Sequence, residues 1–270
     1  YYKRMVSSQV QWVVAAVPGK EWAKQVFPEK SEAQAMESLW EAIFCAVRIQ
    51  DGDAVQAWRE HDALLSEKCE ILNKYQFTEL HYENEAGTDF RVGLVKNHIW
   101  EGGSEESGSG VRFIANMPTE EVFTMPDYRK AEGKVVSSRP LSYRGNLIKD
   151  FSLTFHEGKV VDFDAREGYD ALKQLLDTDE GSKSLGEVAL VPYASPISEM
   201  GILFYNTLFD ENASCHLALG ECYPTTVQDG EKMNEEELHQ IGGNHSINHV
   251  DFMIGTKDMK ITGITEDGKE

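Results

Sequence analysis

Residues 78–95 read TELHYENEAGTDFRVGLV, and along them apolar side chains recur at every second position. Leu80 and Tyr82 alternate with polar neighbours, and Phe90 and Val92 repeat the pattern after the turn-like residues 84–89. Because successive side chains of a strand point to opposite faces of a sheet, this period predicts two half-buried strands joined by a turn. We therefore expect β structure to begin at about Thr78.

The chain ahead of Thr78 has mainly helical periodicity. Val10 to Val17 (VQWVVAAV) is a short apolar run that ends at a Pro-Gly pair, which predicts a buried strand and a turn. The helices expected here are Glu21–Val26, Glu32–Ile49 with Ser31 as its N-cap and Asp51-Gly52-Asp53 at its end, and Ala54–Tyr75. We expect the apolar residues of the last helix, among them Val55, Leu64 and Ile71, to lie in the core.

The chain beyond Thr78 is dominated by short strand patterns. The expected strands are Val135–Ser138, Gly145–His156, Lys159–Arg166, Glu187–Tyr193, His249–Gly255 and Met259–Thr265, and the expected helices are Tyr169–Leu176 and Glu235–Ile241. The run EGGSEESGSG at residues 101–110 has the composition of a flexible surface loop. The sequence therefore predicts an α+β fold, in which residues 1–77 are the remainder of an N-terminal α/β region and residues 78–270 form a mainly antiparallel β domain.

The composition is that of an ordinary soluble protein. The 270 residues are 41% hydrophobic and 27% charged, and the formal net charge is -20. Such an acidic chain repels phosphates, so nucleic acid is not an expected partner. The four cysteines have no metal-ribbon or redox spacing, and no stretch reaches the roughly 18 apolar residues that span a bilayer. We expect a cytoplasmic protein that does not enter the membrane.

Candidate metal ligands are concentrated in the C-terminal half of the chain, near predicted strand ends and in loops. They are Glu120-Glu121 in NMPTEEVFTMP, Glu187 in LGEVALVPY, Glu211 and His216 in FDENASCHLALGECY, and His249 and Asp251 in NHSINHVDFMIG. Histidines and carboxylates together suit a pair of divalent ions such as zinc, cobalt or manganese. Cys215 is interpreted as a small buried apolar residue, and the Gly- and Asn-rich context argues against a helical metal pair of His245 with His249.

The most informative pair is His249-Val250-Asp251, because residues two apart on a strand point to the same face. A histidine and a carboxylate that enter an apolar strand need a partner, since burying them bare costs several kcal/mol. A metal ion is one such partner. A direct hydrogen bond between His249 and Asp251 is the other interpretation, and the pair alone does not separate the two.

Four motifs resemble those of the thermophilic aminopeptidase family of metallopeptidases, typified by aminopeptidase T and aminopeptidase S. They are NMPTEEVFTMPD, GEVALVPYASPIS, NASCHLALGECYP and NHSINHVDFMIG, and the similarity runs in order from VVAAVPGKEWA at residue 13 to the end of the chain. The resemblance implies a homodimeric exopeptidase with two divalent metals, and residues 78–270 as its catalytic domain. It also implies that the chain, which starts Tyr1-Tyr2-Lys3-Arg4, is N-terminally truncated.

The family's site residues map onto this sequence one by one. The resemblance implies metal ligands at Glu121, Glu187, Glu211, His216, His249 and Asp251, and an active-site tyrosine at Tyr223. A pair of metals can hold and deprotonate a shared water that attacks the peptide bond, and Glu187 is the expected bridging ligand. Tyr223 is expected to donate a hydrogen bond to the developing oxyanion, although a tyrosine is also often a core aromatic.

The general base is predicted to be Glu120, the neighbour of Glu121, with exposure to solvent as the alternative because adjacent strand residues face opposite ways. The predicted substrates are peptides with a free N-terminus. Two other functions stay open from the sequence: a non-catalytic metal- or peptide-binding fragment, and another two-metal hydrolase that acts on amides or phosphates.

Overall fold

The computed structural model describes residues 9–49 and 52–269. Helices α1 to α7 span Lys20–Val26, Glu32–Ala46, Ala54–Tyr75, Tyr169–Leu176, Pro196–Met200, Thr207–Asp210 and Glu235–Ile241. Strands β1 to β8 span Val14–Ala15, Glu79–Glu83, Asp89–Leu94, Ser104–Glu106, Arg112–Ile114, Asn116–Met117, Val122–Thr124 and Pro126–Val136. Strands β9 to β15 span Leu141–Tyr143, Asn146–His156, Lys159–Glu167, Leu185–Leu190, His216–Gly220, His249–Met253 and Lys260–Ile264.

The hairpin predicted from residues 78–95 lies within the largest sheet. Strands β2 and β3 pair antiparallel with Leu80 opposite Val92 and Tyr82 opposite Phe90, and all four side chains are buried. The Asn84 side chain accepts a hydrogen bond from the Thr88 backbone N–H and so closes the turn. The strand order is β11-β10-β8-β3-β2-β15, with β9 paired to β10, and each pair is antiparallel.

A second, four-stranded antiparallel sheet has the order β14-β13-β12-β7. One face of this sheet contributes Val188, Leu217 and Phe252 to the main hydrophobic core, which it shares with the larger sheet and α4. Alternation along the strands leaves the opposite face for polar side chains. The α+β class and the antiparallel sheets predicted from the sequence are confirmed.

The three N-terminal helices pack in two different places. Helices α1 and α2 bury Ala23 and Leu39 in a smaller core together with Ile197 and Phe209, which belong to α5 and α6. Helix α3 instead places Leu65 in the main core. The predicted N-cap of α2 is confirmed by a capping box between Ser31 and Gln34. The domain division between residues 77 and 78 stays a prediction.

Three predictions about local structure are wrong. Residues 10–17 do not form a buried strand: β1 has two residues, pairs in parallel with β6, and leaves Val14 42% exposed and Val17 77% exposed. Apolar patterning predicted neither the length of the strand nor its exposure, both of which depend on what the rest of the fold places against the segment. Residues 101–110 are part of a hairpin, because β4 pairs with β5. On α3, Val55, Leu64 and Ile71 are exposed, and the buried residues of this helix are Trp58, His61 and Leu65.

The predicted strand Val135–Ser138 is wrong in its bounds, because β8 spans Pro126–Val136, whereas the other predicted boundaries differ by only a few residues from the structure. Helix α2 ends at Ala46 rather than Ile49, α3 begins at Ala54 with Asp53 as its N-cap, and Asp51 lies outside the described residues, as do Tyr1 to Arg4. The cysteines are free thiols, and Cys215 is buried as expected. Within the described ranges no helix is both long and apolar enough to cross a membrane.

Candidate metal centre

The polar face of the four-stranded sheet places acidic and histidine side chains side by side. Glu187 on β12 and Asp251 on β14 are both paired with Ala218 on the strand between them. His249 is opposite Gly220 in the same ladder. Because the positions between the polar residues carry small side chains, an open space remains above the sheet where the polar groups converge.

A β-bulge at Gly186 sets the direction of Glu187. The pairing of β12 with β13 shifts register between Leu185 and Glu187, and both Leu185 and Val188 lie in the core although they are three positions apart. A Cβ atom on Gly186 would lie 2.1 Å from the carbonyl oxygen of Glu221. Glycine at this position therefore allows the close strand approach that turns Glu187 toward the polar face.

Glu121 and Glu211 reach the same space from outside the sheet. Glu121 directly precedes β7, and Glu211 begins a short 3-10 helix, Glu211–Ala213, that follows α6. Together with Glu187, His216, His249 and Asp251 they line a cavity of about 590 Å³. The structure thus brings together all six side chains that the sequence predicted as metal ligands.

The ligand atoms form two groups that share Glu187. In the first group, Nε2 of His216 lies 2.9 Å from Oε2 of Glu121 and 3.5 Å from Oε1 of Glu187. In the second group, Nε2 of His249 lies 3.8 Å from Oε2 of Glu187 and 3.5 Å from Oδ1 of Asp251. The two oxygens of the Glu187 carboxylate therefore face different groups, which is the arrangement expected of a bridging ligand.

Backbone carbonyls orient both imidazole rings. Nδ1 of His216 donates to the carbonyl oxygen of Ser214 at 3.1 Å, and Nδ1 of His249 donates to that of Glu221 at 2.7 Å. A carbonyl oxygen can only accept, so the proton sits on Nδ1 in both rings. This leaves each Nε2 directed at the carboxylates, as is usual for metal-binding histidines with an outer partner.

The site concentrates negative charge where water has little access. Burial raises the pKa of Glu187, and burial followed by the charges of Asp251 and Glu121 raises that of Glu211 well above its ordinary range. Burial works against the charged form of His249, yet Asp251 and Glu187 raise its pKa to about 9. The carboxylates thus create a strong preference for added positive charge.

The residues fit divalent metal ions. Oε2 of Glu121 and Nε2 of His216 are buried and lie 2.9 Å apart, but neither has a hydrogen-bond partner among the described residues. Two buried polar atoms this close to each other, with no other polar partner among the described residues, are in the position of two ligands of one ion. The donor set of carboxylate oxygens and imidazole nitrogens matches zinc, cobalt or manganese, and the thiol of Cys215 instead bonds the carbonyl oxygen of Val191.

Tyr223 lies at the edge of the same cavity. Its ring is tilted against His249 with centroids 4.7 Å apart, and it contacts Phe123 edge-on at 6.1 Å. Burial, and then the charges of Glu187 and Asp251, raise the pKa of its phenol well above 10.0. The phenol therefore keeps its proton and can donate a hydrogen bond to a group bound in the cavity.

A family model for thermophilic metalloproteases (M29) matches residues 1–270. The chain belongs to the M29 family. Aminopeptidase AmpS of Bacillus subtilis (strain 168) is 53% identical over 269 residues, which are 100% of this chain and 65% of AmpS. Aminopeptidase 2 of Geobacillus stearothermophilus is 50% identical over 269 residues, again 100% of this chain and 65% of the relative.

A solved structure from the M29 family has the same fold. Wild-type AmpT from Thermus thermophilus superimposes with a TM-score of 0.90 at 41% sequence identity, over 98% of this chain and 64% of AmpT. The chain therefore spans about 65% of the length of the M29 relatives that it matches.

Glu120 does not line the cavity that the six candidate ligands share. Its carboxylate forms a bidentate ion pair with Arg48, in which Nη2 to Oε2 is 2.8 Å, and the residue is 3% exposed. The expected alternative of a solvent-facing side chain is therefore wrong as well. The alternation that turns Glu121 toward the cavity turns Glu120 toward α2 and α3, which cover that side. His245 is half-exposed, pairs with Glu221 at 3.1 Å, and lies in a non-helical segment.

Sequence reasoning missed the residues that hold the segments carrying the candidate ligands. Arg48 and His61 come from the helical region, and Asn212 follows Glu211. Trp100 and Glu101 line the cavity at its other end. An isolated arginine, asparagine or tryptophan carries no spacing pattern, so the sequence offered no local signal for any of them.

Proposed function

We propose that this chain carries the catalytic site of a metal-dependent aminopeptidase, which hydrolyses the N-terminal peptide bond of peptides. Membership of the M29 family and its similarity to two aminopeptidases support this reaction class. The observation that carries the proposal is the convergence of six acidic and histidine side chains in one cavity beside a protonated phenol. A structural metal site needs neither the cavity nor the phenol.

Two divalent ions are proposed, one for each ligand group. Glu121 and His216 would hold one ion, His249 and Asp251 the other, and Glu187 would contact both because its two oxygens face different groups. Glu211 lies close enough to Asp251 and Glu121 for their charges to raise its pKa, so it is assigned to the same centre. When bound, such ions supply an activated water and polarise the scissile carbonyl.

The chain's own residues supply orientation and an oxyanion donor. Tyr223 keeps its proton and stands against His249 at the cavity wall, where its hydroxyl can donate to the oxygen of the scissile carbonyl as negative charge develops. The backbone carbonyls of Ser214 and Glu221 hold the two imidazoles in the orientation that metal binding requires. Glu120 has no part in this scheme, because its carboxylate is bound by Arg48 outside the cavity lining.

The cavity favours a substrate with a free, positively charged N-terminus. Besides the proposed ligands it is lined by Glu70, Glu101 and Glu105, and no lysine or arginine is among its described lining residues. An acidic cleft concentrates cations and raises the rate at which they bind. A peptide ammonium group is such a cation, whereas an N-blocked peptide lacks it.

The remaining features of the proposal are the metal identity, the assembly and the location. Zinc, cobalt or manganese is proposed from the mixed oxygen and nitrogen donor set. A homodimer is proposed with the exposed Leu64 and Ile71 of α3 as support, since these two apolar residues are seven positions apart on one helix face and apolar residues on one surface favour association. A cytoplasmic location is proposed with the free cysteines as support.

Hydrolysis of matched free and N-blocked substrates tests the proposal. The chain is treated with a chelator, reconstituted with zinc, cobalt or manganese, and assayed with leucine p-nitroanilide and its N-acetyl derivative. We expect two bound ions per chain and hydrolysis of the free substrate alone. Metal binding without hydrolysis would show a non-catalytic binding module, and equal hydrolysis of the acetylated compound would show a different amidohydrolase.

A further inference from the structure

The short coil that carries Glu121 is fixed by three hydrogen-bonded contacts on its side away from the cavity. Nε2–H of His61 donates to the carbonyl oxygen of Thr119 at 2.7 Å. The backbone N–H of Glu120 donates to Oδ1 of Asn212 at 2.6 Å, and the Glu120 carboxylate is gripped by both terminal nitrogens of Arg48. Each contact is made to a residue one or two positions from Glu121.

The same contacts connect the ligand segments to one another and to the helical region. Asn212 directly follows Glu211, and its Nδ2 donates to the carbonyl oxygen of Leu208 at 3.0 Å. Arg48 follows α2, and His61 belongs to α3. Two proposed ligands, Glu121 and Glu211, are therefore held through one hydrogen-bonded network that is built on the helices.

The position of Arg48 is itself unusual. It has φ 56°, the left-handed conformation in which glycine commonly ends a helix and which costs other residues about 1–2 kcal/mol. Nε1–H of Trp58, on α3, donates to the adjacent carbonyl oxygen of Val47 at 2.7 Å and fixes this helix end. A long charged side chain at a position that favours glycine indicates that the contacts of this side chain offset the backbone cost.

Burial gives the Arg48–Glu120 pair the strength to fix the coil. The Glu120 side chain is 4% exposed and that of Arg48 is 19% exposed, so solvent screens the pair weakly. A planar guanidinium with two parallel hydrogen bonds fixes the direction of the carboxylate as well as its distance. The backbone that leads into Glu121 is thereby fixed in direction.

We infer that Arg48 and Glu120 are positioning residues that place Glu121 for metal binding, with Asn212 making the same connection to Glu211. The inference rests on the proposed metal centre. The pair does not touch the ions or the substrate: it acts by holding the Glu121 carboxylate oxygen near Nε2 of His216. Partners that orient metal ligands in this way affect metal affinity by about 10- to 100-fold.

The test measures metal affinity and stability separately in the same variants. Arg48→Met leaves the Glu120 charge buried and unpaired, and Arg48→Met/Glu120→Met removes both charges and keeps apolar volume. Arg166→Met is the matched control, because Arg166 forms a 2.7 Å ion pair with Asp150 on the exposed face of β11. Zinc binding is measured by calorimetry on the metal-free chain, and stability by the midpoint of urea unfolding without metal.

We expect Arg48→Met to lower both the unfolding midpoint and the zinc affinity, the latter about 10- to 100-fold. The double variant is expected to regain stability, because no charge stays buried without a partner. The zinc affinity of the double variant is expected to remain low, because the Arg48–Glu120 ion pair that positions the Glu121 segment is still absent. Arg166→Met should bind zinc like the unaltered chain.

The inference is overturned if the double variant regains zinc affinity along with stability, since affinity would then follow general stability. It is also overturned if Arg48→Met binds zinc as tightly as the unaltered chain. If Arg48→Met does not fold, the inference is tested by the double variant alone. Its zinc affinity is then compared with that of the unaltered chain, at an unfolding midpoint that is normal. Failure of the unaltered chain to bind zinc, cobalt or manganese would instead remove the proposed metal centre.

Discussion

Replacing Glu101 by glutamine is expected to stabilise the metal-free protein above neutral pH. Burial is the main cause that raises the pKa of Glu101 to about 7, and the charges of Glu105 and Glu231 add to it. The hydroxyl of Thr225 donates to its Oε2 at 2.7 Å and offsets part of the effect. Glutamine keeps an acceptor for Thr225 but carries no charge, so the substitution isolates the cost of ionising this side chain in the cavity.

The magnitude follows from the change in pKa on folding. A rise from the ordinary value of 4.5 to about 7 corresponds to at most about 3 kcal/mol. Because the folded-state pKa of Glu101 is the higher one, the folded protein binds the proton more tightly than the unfolded chain. The stabilisation by the protonated form is complete below pH 4.5 and is lost as the pH rises through about 7.

The assay is urea unfolding of the unaltered chain and of Glu101→Gln between pH 4.5 and 8.5 after chelation. The difference in unfolding free energy should grow in favour of the variant across this range and level off above pH 7. Glu67→Gln is the control, because it makes the same chemical change at an exposed residue of α3 that does not line the cavity. A pH-independent difference for Glu101→Gln would show that Glu101 ionises without cost and would refute the reasoning.

Three further substitutions probe the proposed centre. Glu187→Gln should lower the bound metal, measured by elemental analysis, from both ligand groups, because both contain Glu187; loss of one ion alone would contradict a bridging role. Tyr223→Phe should reduce kcat about 10²- to 10³-fold with unchanged metal content, and a normal kcat would exclude the phenol as oxyanion donor. Gly102→Ala should weaken zinc affinity in calorimetry by about tenfold or more, because its Cβ would lie 2.6 Å from the carbonyl oxygen of Glu121. An unchanged affinity would show that the Glu121 segment can shift freely.

Local periodicity predicted the elements that depend on neighbours in sequence. The hairpin of β2 and β3, the helix α4 at Tyr169–Leu176 and the helix α7 at Glu235–Ile241 agree with the pattern of apolar residues. The shared direction of His249 and Asp251 also follows from strand alternation alone, and their contact at 3.5 Å shows it. In each case the structure depends on residues that lie within a few positions of one another in the chain.

The exposure and the secondary structure of other segments depend on contacts with distant parts of the fold. The apolar run of residues 10–17 is largely exposed because, among the described residues, its strand β1 pairs with β6 alone. The spacing of apolar residues in the sequence does not reveal how many neighbours a segment will have. The segment 101–110 looked flexible from its glycines and serines, yet Ser104 is held by Asp62 on α3, which accepts from its backbone N–H at 2.7 Å. A contact over 42 residues of sequence leaves no local signature.

Glu120 faces away from the cavity that Glu121 lines, as expected for adjacent residues, but both residues lie in coil rather than in a strand, and the environment predicted for Glu120 is wrong. Adjacent residues do face opposite ways, but the side opposite the cavity is covered by helices rather than by water, and Arg48 binds the Glu120 carboxylate there. A carboxylate next to a proposed metal ligand is therefore bound by an arginine instead of facing the cavity or the solvent. Spacing alone predicts the direction of an acid whose partner lies on the same strand, as Asp251 does with His249, and leaves its role open.

The two faces of the four-stranded sheet explain why the side chains of this site are held in place and still surround an open cavity. Val188, Leu217 and Phe252 fix the sheet to the main core, while Ala218 and Gly220 keep the opposite face clear between the proposed ligands. The sheet alone supplies four of the six ligands, and the other two depend on segments that the helical region holds from outside. Metal affinity should therefore respond to changes at the helices, far in sequence from the sheet, as well as to changes within the sheet itself.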